Sequence, residues 1–268
     1  NIRTKDFDWS TDLTYSYTKT KIKDVLSQAN VIGLVYNSGS NIRKGYPHRS
    51  IFSIPFVGLN DEGIPQVINE KGEVTTTDIN FQEYQNLGFL KYEGPTEPTM
   101  NGGLNNTLRY KNWRLNIFVT YSFGNKIRLD PTFSSSYSDM SAMPKEFKNR
   151  WVMPGDEKNT SNPAIASVRQ YYNDTQLSFA YNSYNYSTER IADGGFIRLK
   201  DVSLTYDVPR SFLSKIGLST AAIKLDATNL CLLYADDKLN GQDPEFVNSG
   251  GVATPLSKQF TLTVRLGL

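Results

Sequence analysis

The segment NWRLNIFVTYSFG, residues 112–124, alternates apolar and polar residues. Large apolar side chains occupy every second position in it, and they are Trp113, Leu115, Ile117, Val119, Tyr121 and Phe123. The positions between them are mostly polar, as at Arg114 and Asn116, with Phe118 as the exception. A period of two over this length predicts a β-strand with one apolar face. Either lipid or a second sheet must cover that face.

The alternation recurs along the chain, which predicts an all-β, antiparallel protein. We expect strands near 8–20, 46–57, 64–69, 99–110, 113–124, 188–207, 219–234 and 257–268. Most are about ten residues long, which is the length that a tilted strand needs to cross a bilayer. Several aromatic residues fall near strand ends, where an interfacial aromatic belt would lie. They are Trp9, Tyr15, Tyr17, Trp113, Tyr121 and Phe123.

One predicted strand changes phase. In FIRLKDVSLTY, residues 196–206, the apolar positions change parity after Lys200-Asp201. An extra residue at that point, a β-bulge, restores a single apolar face. A strand end with a short break is the alternative.

The predicted connections alternate in length. Long ones cover 21–45, 70–98, 125–187 and 235–256, and short ones cover 58–63, 111–112 and 207–218. Outer-membrane barrels have short periplasmic turns and long extracellular loops, whereas a soluble sandwich has no reason to keep its long loops at one end.

The short connection at 207–218 has the pattern of a small helix. Asp207 is the expected N-cap, Pro209 lies near the first helical position, and Gly217 ends the helix. The expected inward-facing residues are Phe212, Leu213 and Ile216.

Composition excludes several classes of function. At 268 residues the chain can form one large all-β domain or two ordinary ones, and a net charge of +2 gives no sign of a nucleic-acid surface. With one cysteine, Cys231, and one histidine, His48, it has neither a disulfide framework nor a Cys/His metal site. No apolar run reaches the length of a transmembrane helix. The mean hydropathy of −0.45 still suits a barrel, because alternation hides apolar residues in the average.

Catalysis finds little support in the residues. His48 lies in a polar stretch and is expected to be a solvated side chain. The carboxylates of Asp236, Asp237, Asp243 and Glu245 depart from the ligand order of an EF-hand. We expect a solvated loop held by a turn at Asp243-Pro244, and no catalytic residue, cofactor or metal.

The loop at 125–187 is the best candidate for contact with a ligand or a partner, because it is long and rich in Tyr, Asn and Ser. The candidate contact residues are Trp151, Tyr171, Tyr172, Tyr181, Tyr184 and Tyr186. The alternative is that these rings only pack the loop onto itself.

An ordered series of motifs spans residues 194–246. The motifs are Phe-x-Arg-Leu-Lys, Leu-x-Tyr-x-x-Pro, a short helix, a strand ending in Asn-Leu, and Gly-x-Asp-Pro-Glu. The residues that supply them are Phe196, Arg198, Leu199, Lys200, Leu204, Tyr206, Pro209, Asn229, Leu230, Gly241, Asp243, Pro244 and Glu245. With the earlier segments 7–22, 58–72 and 102–118, this region resembles the C-terminal part of SusC/RagA-type TonB-dependent outer-membrane transporters.

The resemblance implies a 22-stranded antiparallel transmembrane β-barrel, of which residues 1–268 supply roughly the last eight strands as part of a single domain, without the plug. It implies import of glycan oligosaccharides or oligopeptides, with energy delivered by the TonB complex through the missing N-terminal part. A SusD-type surface lipoprotein serves as the lid. The long loops are expected outside the cell and the C-terminus in the periplasm. Such barrels usually end in an aromatic residue, whereas this chain ends in Leu268, on the apolar side of its strand.

Two alternatives remain at this point. The first is a soluble carbohydrate-binding β-sandwich with the Tyr-rich loop as its site, and the second is a related receptor for a metal chelate. The side chains that separate barrel from sandwich are Leu115, Ile117, Val119, Leu262, Val264 and Leu266, which face lipid in a barrel and are fully buried in a sandwich.

Overall fold

The computed structural model describes residues 1–26, 29–36, 42–137, 140, 143–215, 217–247 and 256–267. The strands in chain order are β1 (Ile2–Arg3), β2 (Phe7–Tyr17), β3 (Ser50–Ser53), β4 (Phe56–Leu59), β5 (Pro65–Ile68), β6 (Val74–Thr75), β7 (Lys91–Pro95), β8 (Met100–Tyr110), β9 (Trp113–Phe123), β10 (Lys126–Arg128), β11 (Ile191–Asp193), β12 (Phe196–Asp207), β13 (Thr220–Tyr234) and β14 (Gln259–Gly267). The α-helices are α1 (Val31–Tyr36), α2 (Val168–Asn173), α3 (Leu177–Asn185) and α4 (Arg210–Leu213). No helix of the described residues is long and apolar enough to span a membrane.

The chain divides into two compact units. The sheet unit contains Asn1–Thr18, Pro98–Gly124 and Gly194–Leu268, and the loop unit contains Lys19–Glu97 and Asn125–Asp193.

The sheet unit is built on one antiparallel sheet with the strand order β1-β2-β8-β9-β12-β13-β14. The prediction of a large antiparallel sheet is therefore confirmed. Six of its strands are long, and β1 adds two residues to one edge. Over the described residues the sheet is open, with β1 and β14 at its edges, so the predicted count of eight strands in the barrel wall is not confirmed.

The strand register separates an apolar face from a polar face. Residues paired directly across an antiparallel sheet lie on the same face. One apolar row crosses the six long strands at Trp9, Leu108, Leu115, Leu204, Leu225 and Leu262. The adjacent row, on the opposite face, consists of Ser10, Thr107, Asn116, Ser203, Asp226 and Thr261.

The predicted bulge at Lys200 is confirmed. Leu199 pairs with Val119 and Asp201 with Phe118, so Lys200 is the extra residue of β12. Because of this insertion, the apolar residues on either side of the bulge lie on one face of the strand.

The exception at Phe118 also has a structural reason. Its ring lies on the polar face over Gly103 of the neighbouring strand. A Cβ added at residue 103 would lie 2.7 Å from the ring edge. A glycine diagonally across from Phe118 leaves the space that this large side chain needs.

The prediction that 46–57 and 64–69 are strands of the large sheet is wrong. The first segment breaks at Pro55 into β3 and β4, and the second becomes β5, each only four residues long. These strands form small separate sheets in the loop unit. Proline lacks a backbone N–H and ends the ladder, and four residues are too few to cross a bilayer.

The long connections all join strands at the same end of the large sheet. They join β2 to β8, β9 to β12 and β13 to β14, while the short ones join β8 to β9 and β12 to β13. Two of the predicted long loops, 21–45 and 70–98, belong to the single connection between β2 and β8. The large sheet therefore has three long connections, whereas the sequence predicts four.

The helix predicted at 207–218 is shorter than expected. Asp207 is the last residue of β12, and Pro209 takes the N-cap position of α4. Leu213 is buried as predicted, whereas Phe212 is exposed, since one turn of helix presents only a narrow inward face. Gly217 has a φ of 73°, as a helix stop requires. Ile216 and Leu268 lie outside the described residues.

The loop unit has two apolar cores. The first packs α1 against Phe52, Ile54 and Val67, and the second surrounds Tyr181 and Tyr184.

A half-buried arginine joins two strands of the loop unit. Arg128 on β10 donates hydrogen bonds from Nη2 to the Phe52 carbonyl at 2.6 Å and to Ser53 Oγ at 3.2 Å on β3. Burial lowers the pKa of Arg128 to about 10. The guanidinium thus serves as a structural link inside the unit.

Gly102 on β8 provides a test of the sheet. The Tyr121 hydroxyl reaches over it and donates to the Thr14 carbonyl at 3.1 Å, and a Cβ at residue 102 would overlap both groups. We expect Gly102→Ala to lower the stability of the sheet by about 1–3 kcal/mol, because the Thr14 carbonyl belongs to the backbone and cannot move away. The measurement is the melting temperature of the whole protein.

The matched control is Gly88→Ala in the loop unit, where a Cβ would meet only Asn86 Oδ1 at 3.9 Å. An equal loss in both variants would contradict the packing described for Gly102.

Candidate functional site

The apolar face of the large sheet is exposed on β14 and half-buried on β9, where Leu115, Ile117 and Val119 lie. Leu262, Val264 and Leu266, which a sandwich would bury fully, are 64%, 57% and 66% exposed. Each large apolar side chain left in water forfeits about 1.5–3 kcal/mol. A face of this size therefore needs an apolar medium or partner. This exposure removes the basis of the sandwich alternative.

Aromatic residues border the apolar face at both strand ends. A row at one end contains Phe7, Tyr110, Trp113 and Tyr206, and a row at the other contains Tyr15, Tyr121 and Tyr234. The side chains between these rows are mostly aliphatic, although Thr11 and Asn106 also lie on this face. The arrangement is that of an apolar band between two aromatic girdles.

The height of this band fits a membrane. Phe7 and Tyr15 lie eight residues apart on β2, which corresponds to roughly 26 Å along the strand. With a strand tilt of about 40°, the two rows stand roughly 20 Å apart along the membrane normal, close to the apolar band of outer-membrane barrels. Of the aromatic residues predicted near the interfaces, Trp9 lies one row further inside.

The polar face carries charged and hydrogen-bonding groups. Lys224 Nζ lies 3.1 Å from Asp226 Oδ1, and Thr107 donates to Asn116 Oδ1 at 2.9 Å. Such groups are suited to contact with water or with a polar solute.

The sequence did not predict a buried ion pair that lies where the long connections leave the sheet. Arg198 Nη2 on β12 lies 2.6 and 2.7 Å from the two carboxylate oxygens of Asp243, and 3.1 Å from Glu245 Oε2. The side chains of Arg198 and Asp243 are only 5% and 4% exposed. The expectation of a solvated loop is therefore wrong at Asp243, whose charge is neutralised by an arginine 45 residues away in sequence.

Three of the predicted contact residues lie in the interior of the loop unit. Tyr181, Tyr184 and Tyr186 are all buried. The Tyr181 hydroxyl donates to the Ala164 carbonyl at 2.7 Å, and that of Tyr184 donates to Asn162 Oδ1 at 3.2 Å. Their geometry agrees with the alternative in which the rings pack the loop onto itself.

The other three predicted contact residues are more accessible. Trp151 is half-buried and donates from Nε1 to Glu157 Oε2 at 3.1 Å. Tyr171 and Tyr172 on α2 are exposed, and their rings meet edge to face at 5.5 Å. Contact of any of the six with a ligand or partner stays a prediction.

Of the residues considered for metal or catalytic chemistry, Asp243 and Glu245 meet at the guanidinium of Arg198. His48 is exposed. In the described part of the chain, no three His, Cys, Asp or Glu side chains form a group that could hold a metal ion.

An antiparallel sheet with an apolar band, aromatic borders and long connections at one end of its strands is typical of one class of protein, the membrane β-barrels. No protein-family model matches the chain. It is 25% identical over 277 residues to the TonB-dependent receptor P3 of Formosa agariphila, covering 91% of this chain and 24% of the relative. It is 27% identical over 266 residues to the TonB-dependent receptor P26 of the same organism, covering 93% and 25%.

Solved structures give the same fold. The RagAB peptide transporter matches with a TM-score of 0.71 at 21% identity, covering 99% of this chain and 28% of the matched chain. The RagAB peptide importer in its closed-closed state also gives 0.71, at 22% identity and with the same coverage. The predicted resemblance to SusC/RagA-type TonB-dependent transporters is thereby confirmed. The chain spans about a quarter of the length of the relatives that it matches.

The Arg198–Asp243 pair predicts a large effect of removing one charge. Arg198→Met leaves the buried Asp243 carboxylate without its cation, and we expect a loss of about 3–5 kcal/mol in the attachment of residues 236–247. The measurement is amide hydrogen exchange of that segment in the whole protein. The double variant Arg198→Met/Asp243→Leu should recover part of the loss.

The control for this pair is Glu97→Gln, which breaks the exposed pair with Arg49 at 3.3 Å and should cost less than about 1 kcal/mol. Equal exchange in Arg198→Met and the unaltered protein would contradict the role given to the pair.

The buried tyrosines predict a loss of stability at high pH. Burial raises the pKa of Tyr181 and of Tyr184, so the folded state keeps their protons where the unfolded state releases them. Their contribution is fully present below pH about 10, the ordinary tyrosine pKa, and is lost as the pH rises above it. The measurement is protease resistance of the loop unit between pH 8 and 11.

Tyr181→Phe should start about 1 kcal/mol less stable, because it lacks the bond to Ala164, and should show a shallower fall with pH. The exposed Tyr172→Phe is the matched control and should follow the unaltered protein. The same slope in all three proteins would refute this account.

Proposed function

We propose that this chain is part of the wall and outer loops of a TonB-dependent outer-membrane transporter that imports a nutrient. The observation that carries the proposal is the apolar band between aromatic rows on the exposed face of the sheet. In this proposal residues 1–268 belong to a single barrel domain, and the polar face lines its interior. The chain itself performs no reaction.

The relatives support a role in TonB-dependent transport. They are named TonB-dependent receptors and a peptide transporter. In this proposal the imported nutrient is a glycan oligosaccharide or an oligopeptide. A TonB complex delivers the energy through a part of the protein outside this chain. The long connections face the outside of the cell, and the C-terminus faces the periplasm.

The proposed partner at the outer loops is a SusD-type surface lipoprotein. The solved transporter that this chain resembles bears a name that joins two components, RagAB. The exposed rings of Tyr171 and Tyr172, with Val168 on the same side of α2, give the loop unit an apolar surface that a lid protein or a nutrient can cover. Positions i, i+3 and i+4 of a helix lie on one face.

The test is the location of the whole natural protein. We expect it in the outer-membrane fraction, released only by detergent, with a gel mobility that shifts on heating. A protein that stays soluble and monomeric without detergent would overturn the proposal.

A pair of neighbouring substitutions tests which face meets lipid. Ile117 lies near the middle of the apolar band and Asn116 on the polar face. Ile117→Arg should destabilise the folded barrel by about 2–4 kcal/mol, because it places a charge in the membrane interior. Asn116→Arg should be tolerated within about 1 kcal/mol. The measurement is the urea dependence of the unheated gel band, and equal effects would contradict the assigned faces.

A further inference from the structure

A cavity in the loop unit lies outside every site described above. It has a volume of about 460 Å³, which is within the range of small-molecule sites. Aliphatic side chains form much of its wall, among them Val25, Leu34 and Leu87, and the last two are buried. Arg43 and Lys44 also line it. The cavity therefore combines aliphatic wall residues with two cations and the amide of Gln85.

The guanidinium of Arg43 is held in place at the cavity wall. Its Nη1 donates to the Leu87 carbonyl at 3.4 Å, and its central carbon lies 5.2 Å from the ring centres of both Tyr46 and Phe52. A guanidinium has five N–H donors in a rigid plane. Arg43 is thus preorganised, with donor capacity left for a carboxylate.

The chain segments around the cavity are rich in positively charged side chains. Ile22 N donates to the Tyr46 carbonyl at 2.9 Å, and Gly45 N donates to the Ile22 carbonyl at 3.0 Å, so two segments run side by side. Residues 19–26 and 42–49 together carry six Lys and Arg against one Asp. Two of these cations are already in ion pairs, Lys44 with Asp24 at 3.4 Å and Arg49 with Glu97 at 3.3 Å, so the remaining excess is +4. This local field favours an anionic ligand.

The composition of the wall selects among anions. None of the described residues that line the cavity is aromatic, so they offer no ring on which a sugar face would stack. Aliphatic side chains beside a fixed guanidinium suit a carboxylate that is attached to an aliphatic group. A peptide presents this combination at its C-terminus when the last residue is aliphatic.

We infer that this cavity binds the C-terminal carboxylate and the last aliphatic side chain of a peptide. Arg43 pairs with the carboxylate, and Leu34 and Leu87 contact the side chain. Lys44 contributes less to the attraction, because Asp24 lies 3.4 Å from its Nζ. The inference rests on the proposed function and specifies the nutrient class for it. It assigns a capture site to the connection between β2 and β8.

The test compares two probes on the whole protein in detergent, by isothermal titration calorimetry. N-acetyl-Leu-Leu with a free carboxylate should bind at least tenfold more tightly than its C-terminal amide. The preference should weaken with added salt, because exposed charges are screened. Arg43→Ala should remove the preference, and Lys44→Ala should reduce it less.

A matched control and a filling variant complete the design. Arg169→Ala removes one positive charge from the exposed surface of the same unit and should leave the preference unchanged. Gly88→Leu adds a side chain at the cavity wall, where a Cβ meets only Asn86 Oδ1 at 3.9 Å, and should weaken both probes.

Equal binding of acid and amide would overturn the inference, as would a preference that survives in Arg43→Ala. Binding of a tetragalacturonate that depends on Arg43 in place of the peptide acid would overturn it in favour of an acidic saccharide. These outcomes are separate from the proposed function, which fails only if the protein is not an outer-membrane protein. Fractionation of the same preparation reports that result independently.

Discussion

The antiparallel register of the six long strands determines which side chains face each side of the large sheet. Because side chains alternate between faces, a slip of one residue at any pair would turn every apolar side chain of that strand to the polar side. The bulge at Lys200 shows how strongly the register is enforced, since β12 accommodates an extra residue and Leu199 still stays beside Val119. The apolar band and the polar lining both follow from this pairing.

The buried pair of Arg198 and Asp243 anchors a long connection to the sheet. The backbone ladder fixes the sheet, but a connection as long as that between β13 and β14 needs its own anchor. Two buried, neutralised charges supply it at one point, and the Asp243 carboxylate also accepts from Glu245 N at 3.1 Å. Such an anchor is specific, because neither partner can stay buried with a different neighbour.

Much of the sheet can be predicted from the sequence, because alternation is a local signal. The strands expected at 99–110 and 113–124 differ from β8 and β9 by one residue at an end. The same signal misleads at 46–57, since a short strand over a small core alternates as a membrane strand does, and only Pro55 marks the break. Contacts that are distant in sequence are not encoded in any local pattern. The pairing of Arg198 with Asp243 and the burial of Tyr184 depend on such contacts, so neither could be predicted.

The turn at Lys111 has a consequence for the order of folding. Because β8 and β9 form a hairpin that pairs Met100 with Phe123, it brings together the ends of the two segments that build the loop unit. Tyr186 from the second segment packs in a core whose other members come from the first. Without the hairpin, that core would require closure of a long, unrestrained loop, at a cost in chain entropy. Formation of this one local turn is therefore expected to precede completion of the loop unit, so that a local contact prepares a non-local one.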